Sequence, residues 1–203
     1  MFITLEGTEG VGKSTLISSL KKYFTEKEID FIFTKEPGGT REGNEIRNIL
    51  LDRSMKLEPY AETLLLLADR VQHVTKIIKP ALEKNKNIFS DRYFDSTYAY
   101  QGAGRGISQD DLDNFINVLN FPIPDLTIFL DLSITEGIKR VKKRGEVDRF
   151  EEEELSFFEK IRQFYLETAK KNSKRFFVID ASQSMDEVFN IAKDKIINTL
   201  NEN

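Results

Sequence analysis

Residues 1–14 read Met1-Phe2-Ile3-Thr4-Leu5-Glu6-Gly7-Thr8-Glu9-Gly10-Val11-Gly12-Lys13-Ser14, a short apolar run that breaks into a glycine-rich turn ending in Lys-Ser. Gly7 to Ser14 satisfies G-x-x-x-x-G-K-[ST], and a chance match in a chain of this length is on the order of 1%. Its setting, after a strand-like run and before the helical pattern that starts near Thr15, argues further against coincidence. Glycines let the backbone curl so that successive N–H groups point inward, and the helix N-terminus adds partial positive charge. The motif therefore reads as a phosphate-binding loop made of Gly7, Thr8, Glu9, Gly10, Val11, Gly12, Lys13, Ser14 and Thr15. Lys13 is expected at the β- and γ-phosphates, and the Ser14 hydroxyl on Mg²⁺.

Outward from this loop, strand-like runs alternate with helical ones. The runs at Phe2–Leu5, Asp30–Thr34, Asn87–Asp91, Leu126–Leu132 and Phe176–Asp180 read as buried strands. Helical patterns occupy roughly 14–27, 42–51, 59–84, 109–119, 134–143, 154–172 and 185–200. Continuous apolar strands between amphipathic helices predict an α/β fold, a five-stranded parallel sheet covered by helices on both faces. One domain spanning 1–203 is expected. Ligands in such sheets bind beyond the carboxyl ends of the strands, so the residues just after each strand are the site candidates.

Composition narrows the class. Hydrophobic residues make up 39%, with 16 Phe, enough for a sizeable core, and charged residues 32%. The net charge of −4 disfavours a nucleic-acid binder. With no cysteine, disulfides, thiolate metal sites and a cysteine nucleophile are excluded. The one histidine, His73, cannot supply a multi-histidine metal site. No long apolar run or signal-like segment is present, so no membrane partner is expected and the expected location is the cytoplasm. A GTPase would need N-K-x-D and D-x-x-G. Asn85-Lys86-Asn87-Ile88 lacks the Asp, and D-x-x-G does not occur. A compact chain rich in arginine fits a kinase for a small acceptor better than a motor ATPase.

The third strand ends in Phe89-Ser90-Asp91-Arg92-Tyr93, which places a carboxylate near Mg²⁺ and a guanidinium near the phosphoryl group in transit. Together with Glu36-Pro37-Gly38-Gly39-Thr40, Leu67-Ala68-Asp69-Arg70, Arg105-Gly106, Arg144-Gly145 and Asp148-Arg149, it makes the chain resemble the bacterial thymidylate kinases, P-loop enzymes that phosphorylate dTMP. The matching pieces span 7–151. The resemblance implies a P-loop NTPase fold, γ-phosphoryl transfer from ATP to dTMP with Mg²⁺, and a homodimer. It implies that Glu9 holds the deoxyribose 3′-hydroxyl, that Arg47 and Arg92 grip the monophosphate, and that Arg70 donates to a thymine carbonyl. Glu36, Leu66, Thr97 and Gln101 would surround the base, Tyr100 would exclude a 2′-hydroxyl, and Pro37 would follow a cis bond. Asp91 would act on Mg²⁺, directly or through water. Two planar guanidiniums suit a phosphate dianion, which argues against a nucleoside acceptor.

Two departures stand out. Many relatives carry Phe where Leu66 stands, and Gly10 occupies a loop position that is arginine in some thymidylate kinases. Arg140 and a short lid at about 144–151, carrying Arg144 and Arg149, are expected to supply the missing charge beside ATP. The acidic run from Glu151 to Glu154 reads as a solvated helix start, and His73 as a surface or packing residue. A regulatory nucleotide binder without turnover is disfavoured by the retention of Lys13, Ser14, Asp91 and the lid arginines. In the 59–84 helix, Tyr60, Leu64, Leu67, Val71, Val74, Ile78 and Leu82 form one stripe, with Leu65, Leu66 and Ala68 widening it. That width reads either as a central helix packed on two sides within one domain or as a dimer face that includes Val71 and Val74, and the resemblance favours the dimer.

Overall fold

The five apolar runs become five strands: β1 Phe2–Glu6, β2 Phe31–Lys35, β3 Asn87–Asp91, β4 Leu126–Asp131 and β5 Phe176–Asp180. All pairings are parallel, in the order β2-β3-β1-β4-β5. The computed structural model describes residues 1–145, 149–151 and 153–202, without the side chain of Arg144. Expected and observed strand limits agree to within a residue.

Helices are α1 Lys13–Glu26, α2 Arg41–Leu51, α3 Pro59–His73, α4 Lys79–Glu83, α5 Phe94–Thr97, α6 Gln109–Leu119, α7 Ile134–Arg144, α8 Leu155–Lys171 and α9 Met185–Glu202. Thr40, Ser108 and Ser133 cap α2, α6 and α7, their hydroxyls accepting from the N–H groups of Gly43, Asp111 and Glu136. Alternate residues of the strands face opposite layers. Ile3, Leu5, Phe89, Ile128, Leu130 and Ile179 pack with residues of α1 and α9. Phe2 and Ile88 pack with Leu67, Val74 and Ile78, and Phe129 and Phe176 with Phe158, Ile161 and Tyr165 of α8. No described helix is long and apolar enough to cross a membrane.

Two helical regions differ from expectation. The helix expected at 59–84 is α3 followed by a π-helical turn, Val74–Ile78, and then α4. Its apolar stripe divides: Leu67, Val74 and Ile78 are buried in the core, whereas Tyr60, Leu64 and Val71 are exposed. Val74, expected at a dimer face, is thus a core residue. Leu66 and Arg70 of the same helix face the cleft described below. The helix is apolar nearly all round because it serves the core, the cleft and the outer surface. Secondly, the stretch after β3 is helical, α5 continuing into a π-helical turn at Tyr98–Gly104, where no helix was expected. The residues there serve the cleft and carry no simple amphipathic period.

Candidate active site

The carboxyl ends of β1, β2 and β3 open on one edge of the sheet, with Asp91 in register with both Leu5 and Lys35. The glycine-rich loop leaves β1 and enters α1 at Lys13. Lys13 Nζ donates to the carbonyls of Gly7 and Thr8, each at 2.9 Å, so the loop wraps the ammonium with backbone oxygen. Burial lowers the Lys13 pKa and the Arg92 charge lowers it further, while Glu9, Asp91 and Glu6 oppose the shift. Gly10 has φ +74°, and a Cβ there would lie 2.1 Å from the carbonyl oxygen of Gly137 in α7. The absence of a side chain at this position therefore has a packing cause: an arginine could not enter without separating the loop from α7.

Arg92 follows β3 with φ +69°, a left-handed conformation that a bulky residue seldom adopts. Its N–H donates to Leu5 O at 2.9 Å and its carbonyl accepts from the Ser90 hydroxyl at 2.8 Å, which hold it there. The guanidinium donates to Glu9 at 2.6 Å and to the Tyr100 hydroxyl at 3.0 Å, and the Tyr100 hydroxyl donates to the same Glu9 oxygen at 2.9 Å. Arg92 and Glu9 are thus brought into direct contact. Glu6, which sequence reasoning missed, lies beneath them, fully buried. It accepts from the Tyr93 N–H, the Ser96 hydroxyl and the Tyr165 hydroxyl at 2.6–2.9 Å. Burial raises its pKa to about 7, and Asp95 adds to the rise.

The opposite wall rests on buried ion pairs. Arg70, 2% exposed, donates to Glu36 at 2.6 Å, to the Thr97 hydroxyl at 2.7 Å and to the Tyr93 carbonyl at 3.1 Å. The Glu36–Pro37 bond is cis, and Arg47 of α2 donates to the Pro37 carbonyl at 2.9 Å. Gln101 donates to Glu62 at 2.9 Å, and Arg105 also reaches that carboxylate. Glu62, fully buried on α3, was not anticipated. Nothing in the local sequence distinguishes it from a solvated glutamate, since its partners come from distant segments.

These groups surround one cleft of about 740 Å³, within the usual range of small-molecule sites. It is lined by Glu9 through Thr15, Glu36, Pro37, Arg47, Leu66, Arg70, Asp91, Arg92, Thr97, Tyr100, Gln101 and Arg140. Gly7 and Thr8 support it through the Lys13 contacts. Arg140 reaches the Ala181 carbonyl at 3.4 Å and Glu136 at 3.5 Å. Arg149 is placed differently from expectation: it donates to the Leu50 carbonyl at 2.8 Å and to Glu62 at 2.6 Å, on the α2–α3 side. A buried carboxylate holds it there. Glu146, Asp148, Glu152 and the Arg144 side chain lie outside the described residues.

The residues fit a divalent cation of the hard, oxygen-seeking kind. Asp91 Oδ1 is buried with no hydrogen-bond partner among the described residues, and the Ser14 hydroxyl is exposed in the same cleft. No cluster of three His, Cys, Asp or Glu able to hold a metal occurs among the described residues. That suits Mg²⁺, which takes one or two protein oxygens and completes its shell with phosphate and water.

Comparison with known proteins gives a consistent result. The thymidylate kinase family matches residues 5–191. A thymidylate kinase from Carboxydothermus hydrogenoformans is 49% identical over 93% of this chain and 92% of its own length. One from Mycoplasma capricolum is 44% identical over 100% of this chain and 97% of its own. A crystal structure of thymidylate kinase from Ehrlichia chaffeensis superposes with a TM-score of 0.78 at 33% identity, covering 99% of this chain and 98% of the other.

Proposed function

The chain belongs to the thymidylate kinase family, and from that premise we propose how the cleft moves the γ-phosphoryl group of ATP to dTMP, giving ADP and dTDP in the route to dTTP. The observation that carries this reading is one cleft lined both by a triphosphate loop with Lys13 and by three arginines, Arg92, Arg47 and Arg70.

The loop from Gly7 to Thr15 binds the ATP phosphates through its N–H groups, with Lys13 at the β- and γ-phosphates and Arg140 alongside. Ser14 and Asp91 would hold Mg²⁺, which would supply neutralisation of phosphate charge there. On the acceptor side, Arg92 and Arg47 grip the monophosphate. Glu9 accepts from the 3′-hydroxyl, and Tyr100, at 5% exposure, fills the space a 2′-hydroxyl would need. The base lies against Leu66, with Arg70, Thr97 and Gln101 around its polar edge and the Glu36–Pro37 turn below. The attacking phosphate oxygen is already ionised at neutral pH, so no strong general base is required, and the transfer depends on alignment and charge neutralisation. Arg144 and Arg149 of the lid at about 144–151 add positive charge over ATP, Arg149 first leaving Glu62.

The whole chain 1–203 acts as one kinase domain in the cytoplasm, without nucleic-acid or membrane partners. It works as a homodimer through the outer face of α3, which the exposure of Tyr60 (48%), Leu64 (53%) and Val71 (37%) supports. A panel of nucleoside monophosphates assayed for ATP consumption tests the acceptor. Turnover with dTMP at a kcat/KM well above those for dUMP, CMP and AMP is expected, and dTMP-independent hydrolysis alone would overturn the reading. Sedimentation at micromolar concentration tests assembly: about twice 23.5 kDa is expected.

A further inference from the structure

We propose that His73 is a positioning residue for base recognition, holding Glu36 so that Glu36 aims the Arg70 guanidinium into the cleft. His73 is fully buried on α3, one turn from Arg70. Its Nδ1 lies 2.7 Å from Glu36 Oε1 and its Nε2 lies 2.6 Å from the Thr34 hydroxyl. A carboxylate only accepts, so Nδ1 carries the proton and donates to Glu36, while the Thr34 hydroxyl, which can donate or accept, pairs with Nε2. The other Glu36 oxygen, Oε2, accepts from Arg70 Nε at 2.6 Å. The carboxylate is therefore tied at both oxygens, one to each neighbour on α3. The ring itself is fixed by the loop it supports. A Cβ on Gly39 would lie 2.4 Å from His73 Cδ2, so the ring sits where only a glycine leaves room for it. Asp69, beside Arg70 on α3, accepts from the Gly38 N–H at 3.0 Å and ties the same turn to α3.

The consequence is directional. The Arg70 contacts to Glu36, Thr97 and Tyr93 engage three of its five N–H groups, and they orient the fork edge that meets a base carbonyl. Removing the His73 donor leaves Glu36 Oε1 buried without a proton donor, and the carboxylate can then re-pair and draw Arg70 out of line. A charged hydrogen bond lost in this way is expected to weaken dTMP recognition about tenfold. ATP binds on the other side of the cleft and is not touched by this chain of contacts.

The inference rests on the reading of Arg70 as the base-facing cation, so Arg70→Ala is the reference. The test compares His73→Asn, His73→Gln and His73→Leu in steady-state kinetics. The Asn amide nitrogen occupies the place of Nδ1 and can donate to Glu36; the Gln amide reaches toward Thr34 instead. His73→Leu and His73→Gln should raise the KM for dTMP about tenfold with the KM for ATP within about twofold, and His73→Asn should restore most of the loss. Parallel rises in both KM values, or no change in a folded variant, would overturn the proposal. If Arg70→Ala leaves the KM for dTMP unaltered, the site reading fails and the proposal with it. If Arg70→Ala raises that KM and the histidine variants do not, the proposal alone fails. Because the chain has one histidine, two-bond ¹H–¹⁵N spectra of the unmutated protein give a second readout free of folding effects. A proton on Nδ1 supports the arrangement, and a ring protonated at Nε2 alone refutes it.

Discussion

The two sides of the cleft are made in different ways. The phosphate loop is nine consecutive residues whose working groups are mostly backbone N–H, held by one lysine and by contact with Gly137. The acceptor wall takes side chains from the turns after β2 and β3, from α2, α3 and α5, and from the π-helical turn after α5, and fixes them with pairs such as the buried Arg70–Glu36 and the part-buried Arg92–Glu9, which reaches back to the loop. A loop of backbone groups is insensitive to the identity of most of its side chains. The wall is sensitive where a missing partner leaves a buried charge unpaired, as at Arg70–Glu36.

That contrast is open to measurement. The largest effect is expected at the loop. Lys13→Ala should reduce kcat by about 10³-fold or more, since a charge aimed at the moving phosphoryl group is lost. The melting temperature should stay close to that of the parent, because Nζ meets two carbonyl oxygens and, at 3.9 Å, the part-exposed Glu9 carboxylate, all of which the cleft can hydrate. Full activity in a folded variant would remove Lys13 from the chemistry.

Next in size is the lid. If Arg149 leaves Glu62 to reach ATP, Arg149→Ala should lower kcat by at least about tenfold and leave the KM for dTMP little changed. A smaller fall would move the role to Arg144 or Arg140. A rise in the KM for dTMP instead would show that Arg149 acts through Glu62 on Gln101, its neighbour on that carboxylate.

At the wall, binding and stability should fall together. Arg70→Ala should raise the KM for dTMP about 10- to 100-fold, with little change for ATP, and also cost about 3–5 kcal/mol by stranding Glu36. Adding Glu36→Gln should recover part of the stability and none of the dTMP affinity. Recovery of both would mean that Arg70 is structural only.

The smallest effect concerns Glu6 below the wall. Its folded pKa, about 7, lies above the usual carboxylate value. A raised acid contributes its full stability only below the unfolded pKa, and loses it as pH rises through the folded one. The penalty of the ionised form, on the order of 3 kcal/mol, thus develops between about pH 4.5 and 7. The melting temperature of Glu6→Gln relative to the parent should therefore improve as pH rises from 5 to 8. A difference independent of pH would show that Glu6 ionises as it would in water.

How much of this was legible in the sequence follows the same division. Leu5 to Ser14 could be read directly, because strand, turn and helix start are set by residues adjacent in the chain. The strands were equally legible, since burial on both faces demands unbroken apolar runs. The helix at 94–104 was not, because its side chains answer to the cleft and its π-helical turn breaks the 3.6-residue period. His73 read as a packing residue, and Glu6 and Glu62 drew no notice. Each is an ordinary polar residue until a distant partner arrives: Glu36 from 37 positions away, Tyr165 from 159, Arg149 from 87. The split of the α3 stripe into a core set with Val74 and an outer set with Val71 likewise waited on what packs against the helix.

By itself the sequence determined the strand count, the parallel α/β layout and the phosphate loop, all of which arise from local periodicity or contiguous backbone geometry. Only the tertiary structure decided which charges are buried, which carboxylate holds which arginine, and where Arg149 rests. Burial and pairing depend on distance in space, and the energy of a charge is set by the neighbours that the fold brings to it.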